Sequence, residues 1–198
     1  MSEEAIYLDH HATTPLAPEV LEAMMPWLTT RYGNPGSVGH RFGHEASAAV
    51  EDARLRIAQC LQVTAQEIVF TSGATESNNL ALRGFVDRQG TDSVHLVSAT
   101  TEHKAVLDPL EYLAKQGHQV TLVAPCPFSD PNAGMVPCKA IAEALNEQTR
   151  LVSVMLVNNE IGVIQPVAEI AAACRERGAL LHCDATQAIG KIPVDVLA

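Results

Sequence analysis

An α/β fold, a mostly parallel sheet sandwiched by helices, is predicted by two features of the chain. From Glu67 onward, short β-branched runs alternate with stretches of helical period, the pattern of successive βα units. One run, Leu151-Val152-Ser153-Val154-Met155-Leu156-Val157, is almost continuously apolar, which predicts a central strand covered on both faces.

Two helices come first in the chain. Leu21, Met24, Met25 and Leu28 recur at helical spacing in one, with Pro26 expected to bend or end it early; Ala46, Val50, Ala53, Ile57 and Leu61 do so in the other. Between them, Gly33-Asn34-Pro35-Gly36-Ser37 reads as a loop. Strands are expected at Ile68-Val69-Phe70, Val94 to Val97, Val120 to Val123, Leu151 to Val157 and Leu180 to Cys183. A helix opens at Thr71-Ser72-Gly73-Ala74-Thr75-Glu76 and continues through Leu80, Leu82 and Phe85. The Pro/Asp/Asn-rich stretch from Pro125 to Gly134 predicts an exposed irregular excursion. Pro166 suits a first helical position, Val167, Ile170, Ala171 and Cys174 form one face, and Gly178 ends that helix. The expected organisation is an N-terminal segment, 1–15, and a domain over 16–198.

The 198 residues are 47% hydrophobic and 18% charged, enough apolar material for a core. Thirteen Lys and Arg against twenty-three Asp and Glu give a net charge of -10, which disfavours an electrostatic grip on nucleic acid or an anionic membrane. Met1-Ser2-Glu3-Glu4-Ala5 has neither the basic start nor the apolar run of a secretory signal, and no stretch approaches a membrane span, so a cytoplasmic protein is expected. The five cysteines show no CxxC spacing and leave one unpaired in any disulfide scheme, which suits a reducing compartment. Cys60 and Cys174 are expected to be small buried hydrophobes. His182 with Asp184, or His40 with His44, would offer a metal only two ligands, so no metal is expected.

Four polar loops carry candidate chemistry. At Thr71 to Glu76, free backbone N–H groups at a helix start, beside small residues and hydroxyls, suit a phosphate; the same residues also cap helices that bind nothing. Asp184, directly after a strand, can pair with a protonated ring nitrogen and make a pyridine ring a stronger electron sink, or it can cap the following turn. His103, at a helix start after a strand, can stack on an aromatic cofactor or move protons, although a lone histidine is often structural. Asn158-Asn159-Glu160-Ile161-Gly162 offers amides to a ring's polar substituents and equally has the composition of an ordinary turn. Open α/β sheets bind ligands at the carboxyl ends of their strands, so together these loops predict the pocket of a phosphate-bearing ligand.

Five stretches resemble the successive motifs of the cysteine desulfurases, in the fold-type I, class V aminotransferase group. They are Tyr7 to Pro15, Thr71 to Asn79, Thr101 to Leu107, Val157 to Gly162 and Asp184 to Lys191, and the match runs in order from Tyr7 to Asp195. Their wording is closer to the housekeeping iron-sulfur assembly branch than to the selenocysteine lyase-like branch. The resemblance implies the incomplete large domain of a fold-type I enzyme dependent on pyridoxal 5'-phosphate (PLP). It implies that Ala74 and Thr75 contact the cofactor phosphate, His103 stacks over the pyridine ring as the catalytic residue, and Asn159 lies beside the ring. Asp184 would pair with the pyridinium nitrogen and Gln187 would hydrogen-bond the phenolic oxygen. Gly33-Asn34-Pro35, with Ser37 and His40, matches a family loop near the substrate entrance.

The implied activity is removal of sulfur from L-cysteine to give L-alanine and an enzyme persulfide, passed to sulfur-acceptor and iron-sulfur scaffold proteins for cluster assembly or tRNA thiolation. The intact protein would be a homodimer. The family's Schiff-base lysine and persulfide-forming cysteine are expected beyond Ala198, and Lys104, Lys115, Lys139 and Lys191 each stand at positions that do not match that lysine. The chain is therefore expected to be inactive alone. Another class V enzyme, a selenocysteine lyase or an aminotransferase, and a non-catalytic scaffold remain alternatives.

Overall fold

The computed structural model describes residues 5–90 and 92–196, and the chain separates into two compact units, one reaching to Phe70 and the other spanning Thr71–Val194. The first unit contains α1 (Pro18–Thr29), α2 (Arg41–Leu61) and a 3-10 turn at Ala65–Glu67. Contrary to expectation, α1 runs through Pro26 to Thr29. Pro26 lies near the carboxyl end, where its missing N–H removes one bond, and its carbonyl still accepts the Thr30 N–H at 3.0 Å. His40 caps α2 by accepting the Gly43 N–H on Nδ1 at 3.2 Å. Position 43 admits only glycine, because a Cβ there would lie 1.7 Å from the Ser37 carbonyl oxygen. The loop at 33–37 is thereby held against the start of α2. Cys60 is exposed, against the expectation of burial, while Cys174 in the second unit is buried as expected.

The second unit is a three-layer sandwich. Its elements are α3 (Ala74–Asp87), β1 (His95–Ala99), α4 (Lys104–Lys115), β2 (Gln119–Val123), α5 (Cys138–Ala144), β3 (Thr149–Ser153), α6 (Val167–Arg177) and β4 (Leu180–His182). The four strands are all parallel in the order β2-β1-β3-β4. Alternate residues of the central strands feed two cores. Val97, Ala99, Val152 and Val154 pack with Ile141 of α5 and with Ile170 and Cys174 of α6. Leu96 and Leu151 pack with Leu82 and Val86 of α3 and with Val106, Leu110 and Leu113 of α4. This is the α/β sandwich that the alternating pattern predicts.

Three boundaries differ from the sequence reading. Ile68-Val69-Phe70 is not a strand; Val69 and Phe70 are exposed, and Phe70 carries the Arg54 guanidinium 4.8 Å from its ring centre. The strand expected over Leu151 to Val157 ends at Ser153, and Val157 instead pairs antiparallel with Ile164. The chain turns back on itself there because Gln165 N–H bonds the Leu156 carbonyl and Asn158 N–H the Val163 carbonyl. Finally, α5 went unrecognised in the sequence; it is a seven-residue helix with Ile141 as its buried anchor.

Candidate active site

Three of the loops singled out follow neighbouring parallel strands. Thr100 to His103 leave β1, the segment from Val154 to Ile164 leaves β3, and Cys183 to Gln187 leave β4. All three open at the carboxyl edge of the sheet, where α/β folds place ligands.

The fourth segment begins α3. Gly73 has φ +157° and ψ -178°, a conformation essentially restricted to glycine, and no side chain caps the helix. The Thr71 hydroxyl turns to the Gly73 carbonyl (3.2 Å) and to Ser77 Oγ (2.7 Å), and Ser72 donates both its N–H (2.7 Å) and its hydroxyl (2.6 Å) to Glu76 Oε2. Those bonds from Ser72, side chain first, hold the Glu76 carboxyl below its usual range. The nearby hydroxyls are thus engaged locally, and the first N–H groups of α3 point out of the helix end without a side-chain cap.

Hydrogen bonds knit these segments together. Asn78 of α3, 3% exposed, donates Nδ2–H to Asp184 Oδ2 at 2.8 Å across 106 residues of chain. Thr186 N–H reaches Asp184 Oδ1 at 2.9 Å, so Asp184 also caps its turn. Burial is the largest single influence on Asp184 and pushes its carboxyl up. The bonds from Thr186 and Asn78, with His182 nearby, outweigh it and hold the group below its ordinary value, so it is anionic at neutral pH. His182 Nδ1 lies 2.8 Å from Ser153 Oγ, and burial lowers its pKa against the pull of Asp184. The neighbouring Cys183 thiol is pushed up to about 11, by burial first and then by Asp184 and Glu102.

His103 is exposed and caps α4, its Nδ1 accepting the Ala105 N–H at 3.0 Å. In the neutral ring the proton therefore sits on Nε2. Thr75 and His103 line one groove of about 440 Å³ with Asn79, Arg83, Lys104 and Tyr112; Arg83 stacks 4.7 Å over the Tyr112 ring. Asn159, Asp184 and Gln187 do not line that groove. Within Asn158 to Gly162, the buried residue is Asn158. It donates Nδ2–H to the Thr101 carbonyl (2.9 Å) and accepts the Glu160 and Ile161 N–H groups on Oδ1 (2.9 Å each), leaving half-buried Asn159 as the neighbour it presents. Gln187 Oε1 accepts Lys191 Nζ at 2.6 Å. Among the described residues, no group of three or more His, Cys, Asp or Glu gathers as a metal site. An apolar groove of about 350 Å³ along α1, lined by Val20, Met24, Trp27 and Leu28, holds none of the chemistry above.

The aminotransferase class-V family model matches residues 6–198. The chain belongs to that family. A cysteine desulfurase IscS of Rickettsia felis is 50% identical over 191 residues, covering 96% of this chain and 45% of that protein. A solved NifS-like protein superposes with a TM-score of 0.90 at 37% identity, covering 96% of this chain and 51% of the other. A structure described as SspA in complex with cysteine superposes with a TM-score of 0.88, also at 37% identity, covering 96% of this chain and 53% of the other. The chain spans about half the length of the curated relatives it matches. Sequence reasoning missed the links made by Asn78 and Glu102, and it named Asn158 for its amide and turn composition without its bond to Thr101. Each lies inside or beside a quoted motif, but its role depends on a partner far away in the chain.

Proposed function

We propose that the chain forms the cofactor-binding part of a PLP-dependent cysteine desulfurase. The observation that carries this reading is the Asn78–Asp184 bond, which fixes an anionic carboxylate at the exit of β4 against the helix whose N-terminus is left uncapped. A phosphate at one end and a ring cation at the other are what that pair of features fits. Bound PLP would supply an electron sink for bond cleavage at a substrate amino acid's carbons.

The chain's own residues would do the rest. The N–H groups of Ala74 and Thr75 would hold the phosphate, Asp184 would keep the ring nitrogen protonated, and His103 would stack on the ring as the catalytic group. Asn159 would lie beside the ring. Gln187, whose Oε1 accepts Lys191 Nζ, would hydrogen-bond the ring's phenolic oxygen. L-Cysteine is the proposed substrate, supported by the relatives' names and by the SspA complex. Sulfur-acceptor and iron-sulfur scaffold proteins are the proposed partners of a cytoplasmic homodimer. No helix among the described residues is long and apolar enough to cross a membrane.

Titration of purified chain with PLP, followed by absorbance, tests the reading. Saturable binding is expected, and Asp184→Asn should weaken it about tenfold, the equivalent of about 1.4 kcal/mol. Since none of Lys104, Lys115, Lys139 or Lys191 matches the family's lysine, borohydride should leave no covalent pyridoxyl label and these 198 residues alone should release no alanine from cysteine. Absence of saturable binding would sink the proposal.

A further inference from the structure

Glu102 lies where the linked segments meet and has no part in the function proposed above. It is 5% exposed. Its Oε1 accepts the Met155 N–H at 2.9 Å, joining the exit of β1 to the exit of β3. Its Oε2 is buried without a hydrogen-bond partner among the described residues, as is Oγ1 of the adjacent Thr101.

The titratable groups that interact with it are Asp184 and Cys183, both beyond β4, and His182 in turn acts on Asp184. Burial foremost, and the Asp184 charge, raise the Glu102 carboxyl to about 8 against the opposing Met155 bond. An ionised Glu102 would be a buried anion near the charge of half-buried Asp184, with one oxygen unsolvated, an expensive arrangement. A protonated carboxyl keeps a carbonyl oxygen for Met155 and adds no charge.

We propose that Glu102 is a positioning residue working as a neutral carboxylic acid: it ties the β1 exit to Met155 and leaves Asp184 as the single anion at the ring nitrogen. The role assigned to Asp184 comes from the proposed function, whereas the protonation of Glu102 stands apart from it. Confining the pair to one negative charge keeps Asp184 ionised, because two ionised carboxylates in one buried site would push each other up. It also fixes the segment that carries His103, since Glu102 is that residue's neighbour in the chain and is anchored through Met155 to the exit of β3.

Infrared spectroscopy and hydrogen exchange on the full chain, with Glu102→Gln and Glu102→Ala, test this. At pH 7 the wild type should show the C=O stretch of a protonated buried carboxyl, lost as the pH rises through about 8 and missing from Glu102→Gln. The Met155 amide should be protected in the wild type and in Glu102→Gln, whose side-chain oxygen still accepts, and should exchange about tenfold faster in Glu102→Ala. Glu102→Gln should bind PLP within about twofold of the wild type. The inference is overturned if the band is absent at pH 7, if Glu102→Gln releases the Met155 amide, or if it weakens PLP tenfold. Should Glu102→Ala fail to fold, the Gln variant decides alone. A wild type that shows the band and the protected amide yet binds no PLP would refute the cofactor reading while upholding the neutral acid.

Discussion

Half-buried Asp184 and buried Glu102 are two neighbouring carboxyl groups whose surroundings drive them in opposite directions. At Asp184 the N–H donors outweigh burial and hold the carboxyl below its usual range; at Glu102 burial foremost, with the neighbouring anion, outweighs the single Met155 donor and raises the carboxyl to about 8. Their effects on stability have opposite signs. Between its ordinary value of 4.5 and about 8, Glu102 holds a proton in the folded chain that the unfolded chain has released, so stability falls as pH rises through that window. The slope is at most about 1.4 kcal/mol per pH unit. Asp184 contributes stability above its unfolded value of 3.8 that is lost as pH falls through its lower folded value. Urea unfolding of the wild type and of Glu102→Gln from pH 5 to 8 should therefore diverge, with the variant gaining relative to the wild type as pH rises. Parallel pH profiles would show that Glu102 is already ionised in the folded chain. The positions of His103 and Asp184 at the carboxyl edge of the sheet were legible in the sequence, because Asp184 directly follows an apolar run and His103 follows one within a few polar residues. Asn78 was not, since nothing local distinguishes it from Asn79; only the partner 106 residues away does.

At the level of elements, the sequence disclosed those whose apolar period is strong and hid those that depend on tertiary pairing. β1 and β3 lie inside the sheet and are nearly all buried, so their runs of Val and Leu announce them. Ile68-Val69-Phe70 has the same composition and no sheet partner, because β propensity reports a fit to a pleated, half-buried surface rather than an intrinsic backbone preference. The helix α3 shows the same principle within three residues. Leu82 is fully buried against β1 and α4, while Leu80 is 55% exposed. Leu82→Ala should cost about 2–5 kcal/mol by leaving a cavity between α3 and the sheet. Leu80→Ala should fall within about 0.5 kcal/mol of the wild type. Equal losses in urea denaturation would mean that α3 does not pack as described, and the Asn78–Asp184 link would lose its support.

Over the whole chain, burial is distributed unequally between the two units. In the second, every residue of β1 is buried and two apolar clusters cover the two faces of the sheet. In the first, α1 has no buried residue, and α2 buries only Gly43, Ala46 and Ala58 along 21 residues. The stripe of Leu21, Met24, Met25 and Leu28 that the sequence marks as an apolar face is exposed. A helix of 12 residues is marginal in water without an apolar face packed against something, and α1 also lacks the bond that Pro26 cannot donate. Local opening free energies follow buried apolar contact, so α1 should open far more readily than the sheet. In native-state hydrogen exchange, the α1 amides should lose protection first and at low denaturant, while those of β1 and β3 exchange only through global unfolding of their unit. Protection of α1 equal to that of β1 would contradict this, and would require the exposed stripe to be covered in solution.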